Sequence, residues 1–444
     1  MRNGLTTRLR PTRPERVGRP PAPLPPRIGL LAIAFCFAAG AGAQSPGEER
    51  AARAAARAEA RSKLVMSPAA LAILEGQADK DPAKKQKEEL GRQIFLDTSL
   101  SEPQGQACAS CHLPDRAFSS PGATSAGADP ALFGFRNAPT LTYAMFTPAL
   151  QLGGDGGNGE SYFGGQFRDG HANFLVDQVK FPLLNPIEMN NPSADAVVAK
   201  VAAAPYADLF RQVYGDQAFA DPPSAFASIA DAVAAFESSP PFRRFDSKFD
   251  AYRRGDVQLT GSEARGLAIF NDPKRANCAS CHLTDANKII GPRPILTDFG
   301  YDNIGVPRNP ANKYYRMPPD INPDGRKFVD IGLGDVLVRA YGVDGQFKSP
   351  SLRNVAVGGP YMHNGYFKTL RGVLDFYNTR DVKPRCPDKF TSEADAEAQG
   401  CWPAPEVTGT VNKKDLGDLK LSEQDIDDML AFLGTLTDGW TPGR

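Results

Sequence analysis

The chain has 444 residues, with 51 Lys+Arg balanced by 51 Asp+Glu and no net charge. That length suits two or three domains, and the balance excludes the basic stripe by which a nucleic-acid binder is recognised. Glycine (42) and proline (39) are plentiful, so much of the backbone is expected in loops.

Residues 1–43 read as a signal peptide. Arginines precede an apolar run beginning at Ile28, and the run ends in the small-residue site Ala41-Gly42-Ala43. The run is shorter than the roughly 20 residues of a spanning helix, which favours cleavage over retention as an anchor. The expected product is periplasmic, starts near Gln44 and keeps no stable membrane span. Residues 44–86, rich in Ala, Arg and Lys, form an N-terminal extension that is helical or partly disordered. The first compact region is expected over 87–250, where Leu90 and Ile94 lie one helical turn apart. Within it, Ser224 is expected to cap a helix with Phe226, Ile229, Val233 and Phe236 on one face. The second region, 251–444, starts near a capping box in which Thr260 caps and Glu263 reaches back. Ser422 is expected to cap the last helix, with Ile426, Leu430 and Leu433 inward. Strand signals are few and short, so the fold class is mainly α with long loops.

An internal duplication runs through both regions. Gly91-Arg-Gln-Ile-Phe95 and Gly266-Leu-Ala-Ile-Phe270 each precede a loop and the sequence Cys-Ala-Ser-Cys-His-Leu, at 108–113 and 278–283. Cys108, Cys111 and His112, and likewise Cys278, Cys281 and His282, form the heme-attachment spacing. Two thiols add to the two vinyl groups of one heme, and the adjacent histidine reaches its iron. The rival readings are zinc and a redox dithiol. Zinc more often uses a second pair of ligands, and the dithiol belongs to a βαβ context that is absent here. Of the other cysteines, Cys36 lies in the signal, and Cys386 and Cys401 are expected to pair in an oxidising compartment. With four histidines in all, only His171 and His363 remain to serve as further iron ligands.

The chain resembles the bacterial diheme cytochrome c peroxidase and MauG superfamily over most of residues 87–440. The likeness rests on both heme motifs and on Arg136-Asn-Ala-Pro-Thr140, Pro182-Leu-Leu-Asn-Pro-Ile-Glu188-Met189, Ser351-Leu-Arg-Asn354 and Pro360-Tyr-Met-His363-Asn-Gly365. It implies two cytochrome c-like heme domains with two covalently bound heme c groups, a peroxidatic one in the N-terminal domain and an electron-transfer one in the C-terminal domain. Glu188 matches the distal carboxylate, which takes a proton from peroxide and returns it to the leaving oxygen. Gln178 and Pro182 match other distal-pocket positions. Asn137 and the backbone carbonyls of Gly358 and Pro360 match the ligands of a Ca2+ ion, whose preference is for oxygen. Tyr377 stands where the peroxidases place a methionine ligand to the second heme and where MauG-type proteins place a tyrosine. A hard anionic ligand there stabilises ferric and higher states. The alternative is a packed Tyr377 with Met317 or Met362 on the iron.

Two departures stand out. Leu113–Phe135 contains no histidine or methionine to close the first heme's distal side, so that position is expected to be open or water-filled. Counting back from Glu188, Arg168 takes the place of the family's inter-heme tryptophan. An arginine cannot be oxidised as a relay, and of its neighbours only Tyr162 could be. His171, beside it, is read either as an iron ligand or as a hydrogen-bonding group for Asp169 or a propionate. The expected activity is reduction of hydrogen peroxide with electrons from a small redox protein, a cytochrome c or cupredoxin. The alternatives are a MauG-like oxidase acting on protein or small-molecule substrates, and a diheme electron carrier. A homodimer is compatible with either.

Overall fold

The structure, a computed structural model, describes residues 46–61, 81–153, 161–285, 293–338 and 340–442; the expected signal peptide lies outside them. The longer helices are α1 (Pro46–Arg61), α2 (Pro82–Leu96), α3 (Ala194–Ala202), α4 (Pro222–Glu237), α5 (Gly261–Asn271), α6 (Leu370–Thr379) and α7 (Glu423–Gly434). Strands are short: β1 (Gln151–Gly153) pairs antiparallel with β2 (Ser161–Phe163), and β3 (Tyr301–Asp302) with β4 (Phe347–Lys348). The fold is therefore mainly α, with long connections. No helix among the described residues is long and apolar enough to cross a membrane.

Helix starts follow local chemistry. Thr260 and Glu263 form the expected capping box of α5, and Ser422 caps α7. Ser224, however, does not cap α4. The helix begins three residues earlier, where Asp221 accepts from Ser224 N at 3.2 Å and Pro222 fills the first position. A proline has no N–H to leave unpaired in the first turn, so Pro222-Pro223 starts the helix instead of delaying it. The inward face of α7 is also turned slightly. Ile426, Met429, Phe432 and Leu433 are buried, while Leu430 is only half-buried.

The duplication is visible in packing. One core gathers Leu90, Ile94 and Phe95 of α2 with Val197, Val201, Ile229, Val233 and Phe236. A second gathers Ile269 and Phe270 of α5 with Leu374, Ile426, Met429 and Phe432. In each, two helices cross at a glycine. A β-carbon at Gly91 would stand 1.9 Å from Ala232 O and 2.9 Å from Phe236 Cβ; one at Gly266 would stand 2.0 Å from Asp428 O and 2.9 Å from Phe432 Cβ. The close approach brings Phe95 edge-on to Phe236 at 5.3 Å, and Phe270 edge-on to Phe432 at 5.2 Å. Aromatic pairs of this geometry add to the area they bury. A third cluster surrounds the Cys386–Cys401 disulfide with Trp402, Phe367 and Phe376. Closing that 15-residue separation contributes about 3 kcal/mol by restricting the unfolded chain.

Gly91→Ala and Gly266→Ala each force a methyl group into a backbone carbonyl. Each variant should lose about 3 kcal/mol or more of stability in denaturant titrations of the heme-loaded protein. An exposed Gly409→Ala, with open space around its β-carbon, should be near neutral.

Candidate heme sites

Each Cys-x-x-Cys-His turn opens into a cavity. The first, about 1000 Å3, is lined by Cys108, Cys111, His112, Gln178, Pro182 and Glu188. The second, about 220 Å3, is lined by Cys278, Cys281, His282 and Tyr377, with Met362 and His363 beside them. The structure thus gathers the expected heme residues in two groups.

Both imidazoles are aimed by one device. His112 Nδ1 lies 3.0 Å from Phe118 O, and His282 Nδ1 lies 3.1 Å from Leu296 O. A carbonyl only accepts, so Nδ1 carries the proton and Nε2 is left as the coordinating nitrogen. Burial lowers the pKa of His112, which keeps the ring neutral. The carbonyls are presented by residues in the left-handed region, Phe118 at φ 57° and Leu296 at φ 59°. Side chains pay about 1–2 kcal/mol for that conformation, and it recurs in both halves where a carbonyl must face a histidine.

The cysteines suit thioether attachment. Burial pushes the thiols of Cys108 and Cys278 up to about 12, so each is a neutral thiol at ordinary pH. Among the described residues no three His, Cys, Asp or Glu side chains converge as zinc ligands. A macrocycle that needs two thiols and one axial imidazole per cavity fits the donors present.

Glu188 is held by the turn before it. Its N–H donates to Asn185 O at 3.0 Å, and Asn185 Nδ2 donates to its Oε2 at 2.9 Å. Burial raises its carboxyl pKa; the Asn185 hydrogen bond and the charge of His171 only partly offset this. Gln178 ends a short helical turn, Leu175–Gln178, and Pro182 lies in the next, Lys180–Leu184.

His171 also lines the first cavity, but its Nδ1 is engaged with Asp169 Oδ1 at 2.5 Å and its ring stacks on Phe167 at 3.7 Å. Burial pushes the Asp169 carboxyl up, yet the hydrogen bond from His171 and the Arg136 guanidinium outweigh it and hold the group well below the usual range. Arg136 spans this carboxylate and Asp330, donating to Asp169 at 2.5 Å and to both Asp330 oxygens at 2.7 Å.

Arg168 lines both cavities. Its Nε donates to Asn137 O and its Nη2 to Asn137 Oδ1, each at 2.8 Å. Gly358 and Pro360 lie on the wall of the first cavity, and Gly359 O between them accepts from Arg116 Nη2 at 2.8 Å. With a guanidinium on both Asn137 oxygens, this donor set does not fit a divalent cation.

Tyr361 was missed in the sequence as a bridging group. It lines both cavities, whereas Tyr162 lines neither. Trp402 is buried in the disulfide cluster and Trp440 is also away from both cavities. Met317 is elsewhere too, its sulfur accepting from Phe133 N at 3.3 Å. Glu237, on the last turn of α4, was missed as well. It is buried on the wall of the first cavity, its Oε2 has no hydrogen-bond partner, and burial raises its pKa to about 8. The duplication held the signal: Ala235-Phe236-Glu237 repeats as Ala431-Phe432-Leu433.

Two Cys-x-x-Cys-His turns, each opening into its own cavity, are the attachment pattern of a c-type diheme oxidoreductase. The di-haem cytochrome c peroxidase family model matches residues 85–258. The chain is 39% identical over 362 residues to the methylamine utilization protein MauG of Paracoccus denitrificans, covering 79% of this chain and 88% of that one. It is 30% identical over 310 residues to the cytochrome c551 peroxidase of Pseudomonas aeruginosa, covering 69% and 76%. The crystal structure of the diheme peroxidase BthA from Burkholderia thailandensis superposes with a TM-score of 0.65 at 33% identity, covering 82% and 87%. This chain belongs to the diheme cytochrome c peroxidase and MauG family, and two c-type hemes are its cofactors.

The pKa of Glu237 is raised from an ordinary 4.5 to about 8 in the folded chain. Folding therefore binds a proton between those values, and stability falls as pH rises through that window. The slope approaches 1.4 kcal/mol per pH unit, an order-of-magnitude value of about that size for one full proton. Glu237→Gln should flatten the pH dependence of unfolding in the heme-loaded protein; an unchanged profile would count against a buried, neutral carboxyl.

Proposed function

We propose that this chain is a periplasmic diheme peroxidase with two heme-bearing halves, residues 87–250 and 251–444, that reduces hydrogen peroxide at the first cavity. The observation that carries the reading is Glu188, a half-buried carboxyl of raised pKa on the wall of the cavity that also holds Cys108, Cys111 and His112. When bound, the heme supplies the iron that delivers two electrons to the O–O bond. The protein's part is proton handling and orientation. Glu188 accepts the proton of the peroxide oxygen that stays and returns it to the oxygen that leaves as water. Asn185 fixes the carboxylate by donating to it, and Gln178 and Pro182 shape the wall. His171 is bound to Asp169 through Nδ1 and serves as a polar support. The absence of a histidine or methionine in Leu113–Phe135 leaves peroxide access open without prior reduction.

The electron donor in this reading is a small redox protein, a cytochrome c or cupredoxin, and a heme held by Cys278, Cys281 and His282 would supply a redox centre at the second cavity. Arg168 cannot be oxidised. Tyr361, whose phenol O–H donates to Val355 O at 3.0 Å, is an oxidisable side chain on the wall of both cavities and suits the relay. The calcium expected at Asn137, Gly358 and Pro360 forms no part of this reading.

A second reading, oxidation of a protein or small-molecule substrate in the manner of MauG, is favoured by Tyr377. Its half-buried side chain lines the second cavity with Cys278, Cys281 and His282. Burial, with the thiols of Cys278 and Cys281 nearby, holds it well above the usual phenol range. It is a neutral group there unless a metal charge draws off its proton, so its coordination of ferric iron is a clear spectroscopic event.

Glu188→Gln should lower peroxide turnover by about 10²–10⁴-fold with both hemes retained; full activity would contradict the proton role. Tyr377→Phe should alter one ferric heme's EPR signal and leave the other unchanged. A pair of unaltered signals would remove Tyr377 from the iron.

A further inference from the structure

The arrangement around Arg168 answers a different question, namely which cation sits between the two heme cavities. In the family resemblance that place belongs to calcium, held by Asn137 and the carbonyls of Gly358 and Pro360. We propose that the guanidinium of Arg168 is the resident cation of this cradle and that the chain holds no calcium there.

The geometry is specific. Arg168 offers two N–H groups to the two oxygens of Asn137, backbone and side chain, each at 2.8 Å. Asn137 cannot turn its amide away, because Nδ2 donates to Gly122 O at 2.7 Å. Its backbone N–H is committed as well, to His363 O at 2.7 Å. Arg168 is anchored in turn, its carbonyl accepting from Lys348 N at 2.8 Å. The neighbouring Gly359 carbonyl is taken by Arg116.

A calcium ion needs six to eight oxygens at about 2.3–2.6 Å, usually with carboxylates among them. The nearby carboxylates, Asp169 and Asp330, are both already held by Arg136, and Asp169 also bonds His171. Their oxygens are therefore committed to groups of the chain and not free to hold a metal ion. A dication placed on Asn137 would touch the guanidinium at low dielectric, where like charges repel strongly. The planar fork of arginine satisfies two oxygens at once and keeps its charge at neutral pH; burial, with Arg136 adding to it, lowers its pKa only to about 10.

Arg168 is therefore a positioning residue. It fixes Asn137, and through Asn137 the register between the Arg136–Thr140 and Pro360–Gly365 segments, independently of any metal supply. The question is separate from the peroxidase reading, since its readout is metal content and ligand-field spectra, not turnover.

The test uses full-length heme-loaded protein. Wild-type chain titrated with calcium chloride should take up none by calorimetry or elemental analysis, and its ferric EPR spectrum should not change on addition of EGTA. Arg168→Gln, which removes the charge, should gain one calcium and an EGTA-sensitive spectrum. Arg168→Lys, which keeps the charge but loses the fork, should still exclude the ion. Stoichiometric calcium in the wild type would overturn the proposal, and that measurement decides alone if the variants fail to load heme. A folded Arg168→Gln protein that binds no calcium, or equal uptake by both variants, would overturn it too.

Discussion

A helix carbonyl occupies the space where a β-carbon would stand at Gly91 and again at Gly266, and that close crossing organises each half of the molecule. It lets α4 and α7 press onto α2 and α5 without a side chain between them. The phenylalanine that follows each glycine by four residues then meets the phenylalanine one turn beyond the contacted carbonyl. Cys108 and Cys278 pack against the resulting cores, so the attachment turns are set by the same contact. The histidine carbonyls at Phe118 and Leu296 complete the frame. Their left-handed backbone recurs in both copies, where each carbonyl faces a histidine ring.

On this common frame the two cavities diverge in their wall chemistry. The first carries two carboxyls, half-buried Glu188 and buried Glu237; at the position matching Glu237 the second carries Leu433. The second instead carries the phenol of Tyr377. The two walls thus differ in their titratable groups, carboxyls in the first and a phenol in the second. Between them lie cationic groups, Arg168 and Lys348. Burial lowers the Lys348 ammonium to about 7, with Asp169 pulling the other way.

The heme residues, the duplication and the mainly helical class were legible in the sequence because attachment chemistry demands fixed spacing. The Cys386–Cys401 pair was legible by elimination. What the sequence concealed was set by contacts across long separations. Tyr361 faces both cavities because Pro360–Gly365 is tied to Asn137, which no local pattern announces. Asp221 took the cap from Ser224 because paired prolines can open a helix as readily as end a loop. Of the two readings open for His171, the structure places its Nδ1 on Asp169, the partner the sequence offered; the clamp of Asp169 by Arg136 could not be read locally.

Arg136 also has a mechanical meaning. It comes from the first half, grips Asp330 of the second through both oxygens, and reaches Asp169 as well, with all three groups largely out of water. Releasing any one of them would strand a buried charge at a cost of about 3–5 kcal/mol. The segments that carry Arg136, Asp169 and Asp330 are therefore pinned to one another here and should move only as one body.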